Sequence, residues 1–172
     1  KPMAASYEDC IRINRASEET GVPCFVAYYR RYLPYFQKVE ELIPRVGKVI
    51  NVHIRLAQPP REFDGSTGDA MPWRVQANIA GGGYFYDLAP HQLDLFQWII
   101  GMSPSKVHAF CHYGKWHDIE VEDDATLYCT YENGATALFH TSTGEEHGVN
   151  RLEIVGKDVP SAVRAQKRES HL

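Results

Sequence analysis

A chain of 172 residues with 44% apolar and 23% charged side chains can bury a core of its own, which excludes a disordered polypeptide. The 18 Lys and Arg against 22 Asp and Glu leave a formal net charge of −4, no footprint for nucleic acid or an anionic membrane. No apolar run approaches the roughly 20 residues of a membrane-spanning helix, so no membrane partner is expected.

Lys1 opens the chain where a translated protein would have Met, so the sequence reads as a piece of a longer protein. The following KPMAASYEDC lacks the apolar core of a secretory signal. Ser6-Tyr7-Glu8-Asp9 predicts a helix start with Ser6 as N-cap, and Gly21 before Val22-Pro23 ends that helix. The apolar run Cys24–Tyr29 predicts a short strand leading into Arg30-Arg31. Pro34 suits the first turn of a second helix through about Ile43. From Val49 the period changes to two: Ile50, Val52, Ile54 and Leu56 share one face, and Asn51, His53 and Arg55 the other. Residues 57–80 read as a long irregular excursion, a length often associated with function. Gly81-Gly82-Gly83 then opens an apolar helix over 84–100, stopped by Gly101, in which Pro90 should start or kink the helix. Strands are predicted near 49–56, 106–113, 125–131, 135–141 and 151–155, with Asn133-Gly134 as a two-residue hairpin turn. Helices first and mostly antiparallel strands afterwards give an α+β class, read as a single domain over 1–172.

Five groups of residues invite chemistry. Cys10, Cys24, Cys111 and Cys129 contain no CxxC pair, so reduced, mostly buried thiols in a cytoplasmic protein are expected. His108 and His112 share a strand face about 13 Å apart, too far to bind one ion directly, and no metal is expected. Asp118, Glu120, Glu122, Asp123 and Asp124 read as a solvated approach to a strand. The fourth is on the helix over 84–100. At about 100° per residue, Phe85, Leu88, Ala89, Phe96 and Ile99 gather on one side, and Asp87, His91 and Asp94 on the other. A carboxylate four residues before an imidazole can orient it and raise its basicity, which suits acid–base work; a plain polar helix surface has the same spacing. Asp64, Asp69, Trp73 and Arg74 precede the glycines, as loop packing or as a wall over a carbohydrate ring.

Lys1-Pro2, Arg31 in YYRRYLP, Trp73-Arg74, GGGYFYDLAPHQLD and VEDDA at 121–125 together resemble the Gfo/Idh/MocA oxidoreductases. The resemblance implies an open, mainly antiparallel sheet with helices on one face, the second domain of that family. It implies an N-terminal Rossmann domain that is absent from this chain, since GGG at 81–83 is no dinucleotide fingerprint. Ser161–Ala165 resembles the family's closing helix. The implied reaction passes a hydride between NAD or NADP and a sugar, inositol or related polyol, in a homodimer or homotetramer joined through the open sheet face. Lys1, Asp87 and His91 become the catalytic set, and either Lys1 or His91 can be the proton acceptor. Trp73, Arg74, Tyr86 and Asp94 become substrate contacts, and Lys1, Pro2 and Arg31 cofactor contacts. The alternative is a non-catalytic, sheet-mediated assembly module, inactive without a nucleotide-binding domain.

Overall fold

A computed structural model describes residues 1–59, 73–115 and 119–158, together with the backbone of 163–166; the side chain of Arg74 lies outside the described residues. Helix α1, Tyr7–Thr20, starts where Ser6 accepts the Asp9 N–H at 3.1 Å and ends at Gly21 in the left-handed region. None of its side chains is fully buried. The predicted strand at Cys24–Tyr29 does not form: the segment pairs with no strand among the described residues, and a 3₁₀ turn takes Tyr29–Tyr32. An apolar run becomes a strand only where a neighbour accepts its backbone hydrogen bonds. Helix α2 spans Pro34–Leu42, with Pro34 at its first position.

The six strands are β1 (Val49–Ala57), β2 (Lys106–Tyr113), β3 (Glu122–Thr130), β4 (Thr136–Ser142), β5 (Val149–Gly156) and β6 (Val163–Gln166). They form one sheet in the order β2-β3-β4-β1-β5-β6. Among the described residues, the β1–β4 pairing alone is parallel. Val163–Gln166 is therefore a strand against β5, where a closing helix was expected. The β3–β4 hairpin also differs from its prediction. Glu132, Asn133 and Gly134 form a three-residue loop closed by Tyr131 N–H on the Ala135 carbonyl. A two-residue type I′ turn needs positive φ at both central positions, and only Gly134, at 84°, supplies it.

The short helix α3 is Ala77–Ala80, and α4 is Tyr84–Ile100. The expected irregular excursion is thus partly ordered: Trp73–Val75 is a 3₁₀ turn, while Asp64 and Asp69 lie outside the described residues. Pro90 neither starts nor breaks α4, which runs unbroken through it. The helix is held by packing rather than by that one backbone bond. Ala89, Phe96 and Ile99 join Val52, Ile54, Leu127, Phe139 and Ile154 in one buried cluster, and Phe85 stacks on Phe139 at 5.8 Å. Each large apolar side chain so buried contributes about 1.5–3 kcal/mol, enough together to offset a missing hydrogen bond.

The register puts Thr126 opposite His140, Tyr128 opposite Leu138 and Thr130 opposite Thr136, with Asn51, His53 and Arg55 continuing those rows on β1. Their neighbours Leu127, Cys129, Val52 and Ile54 are in the core under α4, so the polar rows occupy the opposite face. That face carries Phe110, 69% exposed, beside Thr126. Only Cys129 of the four free cysteines is buried, which corrects the expectation of mostly buried thiols.

Candidate active site

The first residue and the start of α4 meet. Lys1 Nζ lies 3.4 Å from Asp87 Oδ1. One residue earlier, the Tyr86 hydroxyl donates to the Ala5 carbonyl at 3.0 Å, which ties the segment after Lys1 to the helix. A cleft of about 210 Å³ is lined there by Lys1, Pro2, Trp73, Gly82, Tyr86 and Asp87. Five of the predicted site residues therefore share one hollow.

His91 is the next residue along the same helical face, but it does not face solvent: it is 3% exposed. The Tyr29 ring stands edge-on to the imidazole at 5.3 Å and the Tyr28 ring at 6.2 Å. Burial, followed by the positive charges of Arg30 and Lys1, pulls His91 down from 6.5 to about 4; Asp87 pulls the other way more weakly. The expected dominance of Asp87 over the imidazole is thus not what its surroundings produce. His91 is neutral near pH 7, and its Nδ1 is buried without a hydrogen-bond partner. A neutral imidazole can accept a proton, which a histidinium cannot.

This shift also governs stability. In the window between about 4 and 6.5 an unfolded histidine binds a proton that folded His91 refuses. Stability therefore rises with pH through the window and is lost as pH falls toward 4, by up to about 3 kcal/mol at 1.36 kcal/mol per pKa unit. Urea unfolding across that range is expected to show the slope, and His91→Gln to flatten it. Equal slopes for the two proteins would count against a buried neutral imidazole.

The other predicted residues are placed differently. Arg31 and Asp94 bind each other in a two-pronged pair, with Nε to Oδ2 at 2.8 Å and Nη2 to Oδ1. That hydrogen bond holds the Arg31 guanidinium above its usual range. Neighbouring Arg30 is drawn down by burial, against Tyr29 and Asp87.

The acidic run is where sequence reading erred. Glu122, Asp123 and Asp124 are 7%, 1% and 5% exposed rather than solvated. Lys115 Nζ binds Asp124 at 2.8 Å, its N–H binds Asp123 at 3.2 Å, and Glu122 binds the start of α4. Buried carboxylates need such partners, and fixed backbone donors provide them. Glu122, Tyr28 and Tyr29 are the site neighbours that sequence alone missed; the position of VEDDA at a strand start was the available signal. Among the described residues, no group of three or more His, Cys, Asp or Glu could hold a metal ion.

A model of the GFO/IDH/MocA C-terminal domain matches residues 36–159. The chain belongs to the GFO/IDH/MocA family. Oxidoreductase P35 of Formosa agariphila is 37% identical over 97 residues, 55% of this chain and 30% of that protein. The scyllo-inositol 2-dehydrogenase (NAD(+)) of Bacillus subtilis is 23% identical over 167 residues, 92% of this chain and 45% of that protein. The WlbA dehydrogenase of Bordetella pertussis, solved in complex with NADH and UDP-GlcNAcA, has a TM-score of 0.79 at 26% identity, over 97% of this chain and 50% of that chain. This GFO/IDH/MocA chain therefore spans less than half the length of the curated relatives it matches here. Those relatives are oxidoreductases, and the α+β sheet is the fold this chain shares with the WlbA dehydrogenase. No helix among the described residues is long and apolar enough to cross a membrane.

Proposed function

We propose that residues 1–172 are the substrate-binding domain of an oxidoreductase that moves a hydride between NAD or NADP and a CH–OH carbon of a sugar, inositol or related polyol. The observation that carries this reading is the ammonium of Lys1 beside Asp87, with the neutral imidazole of His91 one helical turn further along α4. When bound, the nicotinamide supplies the hydride acceptor or donor. The donor set fits it: a carbinol losing hydride must also lose its hydroxyl proton, and His91 Nδ1 is a buried ring nitrogen with no partner. Lys1 polarises the same oxygen and stabilises the charge that develops on it. Asp87 holds Lys1 in place, a role its 3.4 Å contact supports better than control of the imidazole. Lys1 and Pro2 are the residues that would meet the cofactor, because the Arg31 guanidinium is engaged by Asp94. Trp73, 52% exposed at the cleft, is the ring on which a sugar would stack; Tyr86 lines the same cleft, while Asp94 acts through its pairing with Arg31.

The test is turnover. The protein carrying its nucleotide-binding domain should reduce NAD or NADP with at least one member of a panel of inositols, aldoses and sugar acids. No reduction across the panel, with the cofactor bound, would overturn the reading.

The alternative assembly role draws on one further feature, the open sheet face with exposed Phe110 and Tyr128. We read it as the surface through which this domain forms a homodimer or homotetramer, in addition to catalysis. Light scattering is expected to give two or four times the 19.5 kDa chain mass. Phe110→Glu should shift that mass toward one chain by placing a charge in an apolar contact. A 19.5 kDa monomer at tens of micromolar would refute the assembly.

A further inference from the structure

We infer that Glu122 is a positioning residue for the active site: its buried carboxylate caps α4 from outside the helix and fixes where Asp87 and Lys1 meet. This rests on the functional reading above. The N-cap of α4 is Gly83, which has no side chain to offer the unpaired N–H groups of the first turn. Glu122, at the first residue of β3, takes that place. One of its oxygens accepts the Gly83 N–H at 2.7 Å, and the other accepts the Tyr86 N–H at 2.9 Å.

The close fit explains the glycine. A Cβ on Gly83 would lie 2.4 Å from the Glu122 carbonyl oxygen and 2.9 Å from Val121 Cβ, so β3 presses directly on the helix start. Two links run from this cap to the chemistry. The Asp87 N–H bonds the Gly83 carbonyl at 3.1 Å, so Asp87 sits one turn above the capped residue. Tyr86 binds Glu122 through its backbone and the Ala5 carbonyl through its hydroxyl, joining the cap to the segment that carries Lys1. Displacing Tyr86 therefore moves both partners of the Lys1–Asp87 contact.

Glu122→Gln keeps the volume but replaces one acceptor with a donor, while Glu122→Asp keeps the charge and draws it back by one methylene. In Glu122→Gln, amide hydrogen exchange of Gly83 and Tyr86 should quicken about tenfold or more, while that of Phe139 in β4 stays unchanged. In the protein with its nucleotide-binding domain, kcat should fall about tenfold with the cofactor KM unchanged, since small misplacements of reacting groups cost that much or more. Glu122→Asp should recover part of the kcat. Unchanged exchange at Gly83 and Tyr86 would overturn the inference, as would equal acceleration across the sheet, or parental kcat despite faster exchange. A parent that reduces no cofactor with any polyol would refute the functional reading instead, and the exchange experiment would still decide whether Glu122 fixes the helix start.

Discussion

Replacing His91 by alanine in the protein that carries the nucleotide-binding domain is expected to lower kcat by about 10² or more while leaving NAD or NADP affinity nearly unchanged. The magnitude is what a positioned general base contributes. His91 suits that work because burial and the cations Arg30 and Lys1 keep it neutral to well below pH 7. A neutral base needs no prior deprotonation at physiological pH, so kcat should stay flat above about pH 5, and the decline should come only as the imidazole charges. His91→Gln should fail nearly as badly, since an amide cannot take up a proton at these pH values. Parental turnover in His91→Ala across several sugars and inositols would remove His91 from the mechanism and return it to a packing role between Tyr28 and Tyr29.

Lys1→Ala is expected to cost a comparable factor, about 10²–10³ in kcat, because removing a single donor to a developing oxyanion has an effect of that size. Lys1→Arg should rescue little: a planar fork delivers its charge in a different geometry from a point ammonium. Asp87→Asn should act mainly by loosening Lys1, so the Lys1→Ala, Asp87→Asn double variant should lose less than the two single losses combined. Additive losses would mean that Asp87 and Lys1 work independently, against the contact between them.

The parts of the fold that were legible in the sequence share a property: their signal is local. Ser6 and Gly21 bound α1, the period-two rows of β1 sort core from open face, and the apolar arc of α4 finds the sheet. Where the outcome depends on a distant partner, sequence reading failed. Cys24–Tyr29 has strand composition but no strand beside it among the described residues. Asp123 and Glu122 have the composition of a wet surface, yet Lys115 and the α4 backbone draw them inside. The proposed trio of Lys1, Asp87 and His91 was named from the Lys-Pro and D-x-x-x-H patterns. The state of its histidine was not, because that is set by tyrosines and an arginine some 60 positions earlier in the chain.

The exposure of α1 sets how the site comes apart. Lys1 precedes a helix with no fully buried side chain, whereas Asp87 and His91 stand on a helix whose far side is embedded in the core. Segments with few buried apolar contacts open at low free energy, well below global unfolding. The two halves of the constellation therefore belong to cooperative units of unequal strength, and the weaker one carries the lysine. The Lys1–Asp87 contact and the Tyr86 hydroxyl are polar links between them. On mild heating the site should lose its lysine before it loses its helix.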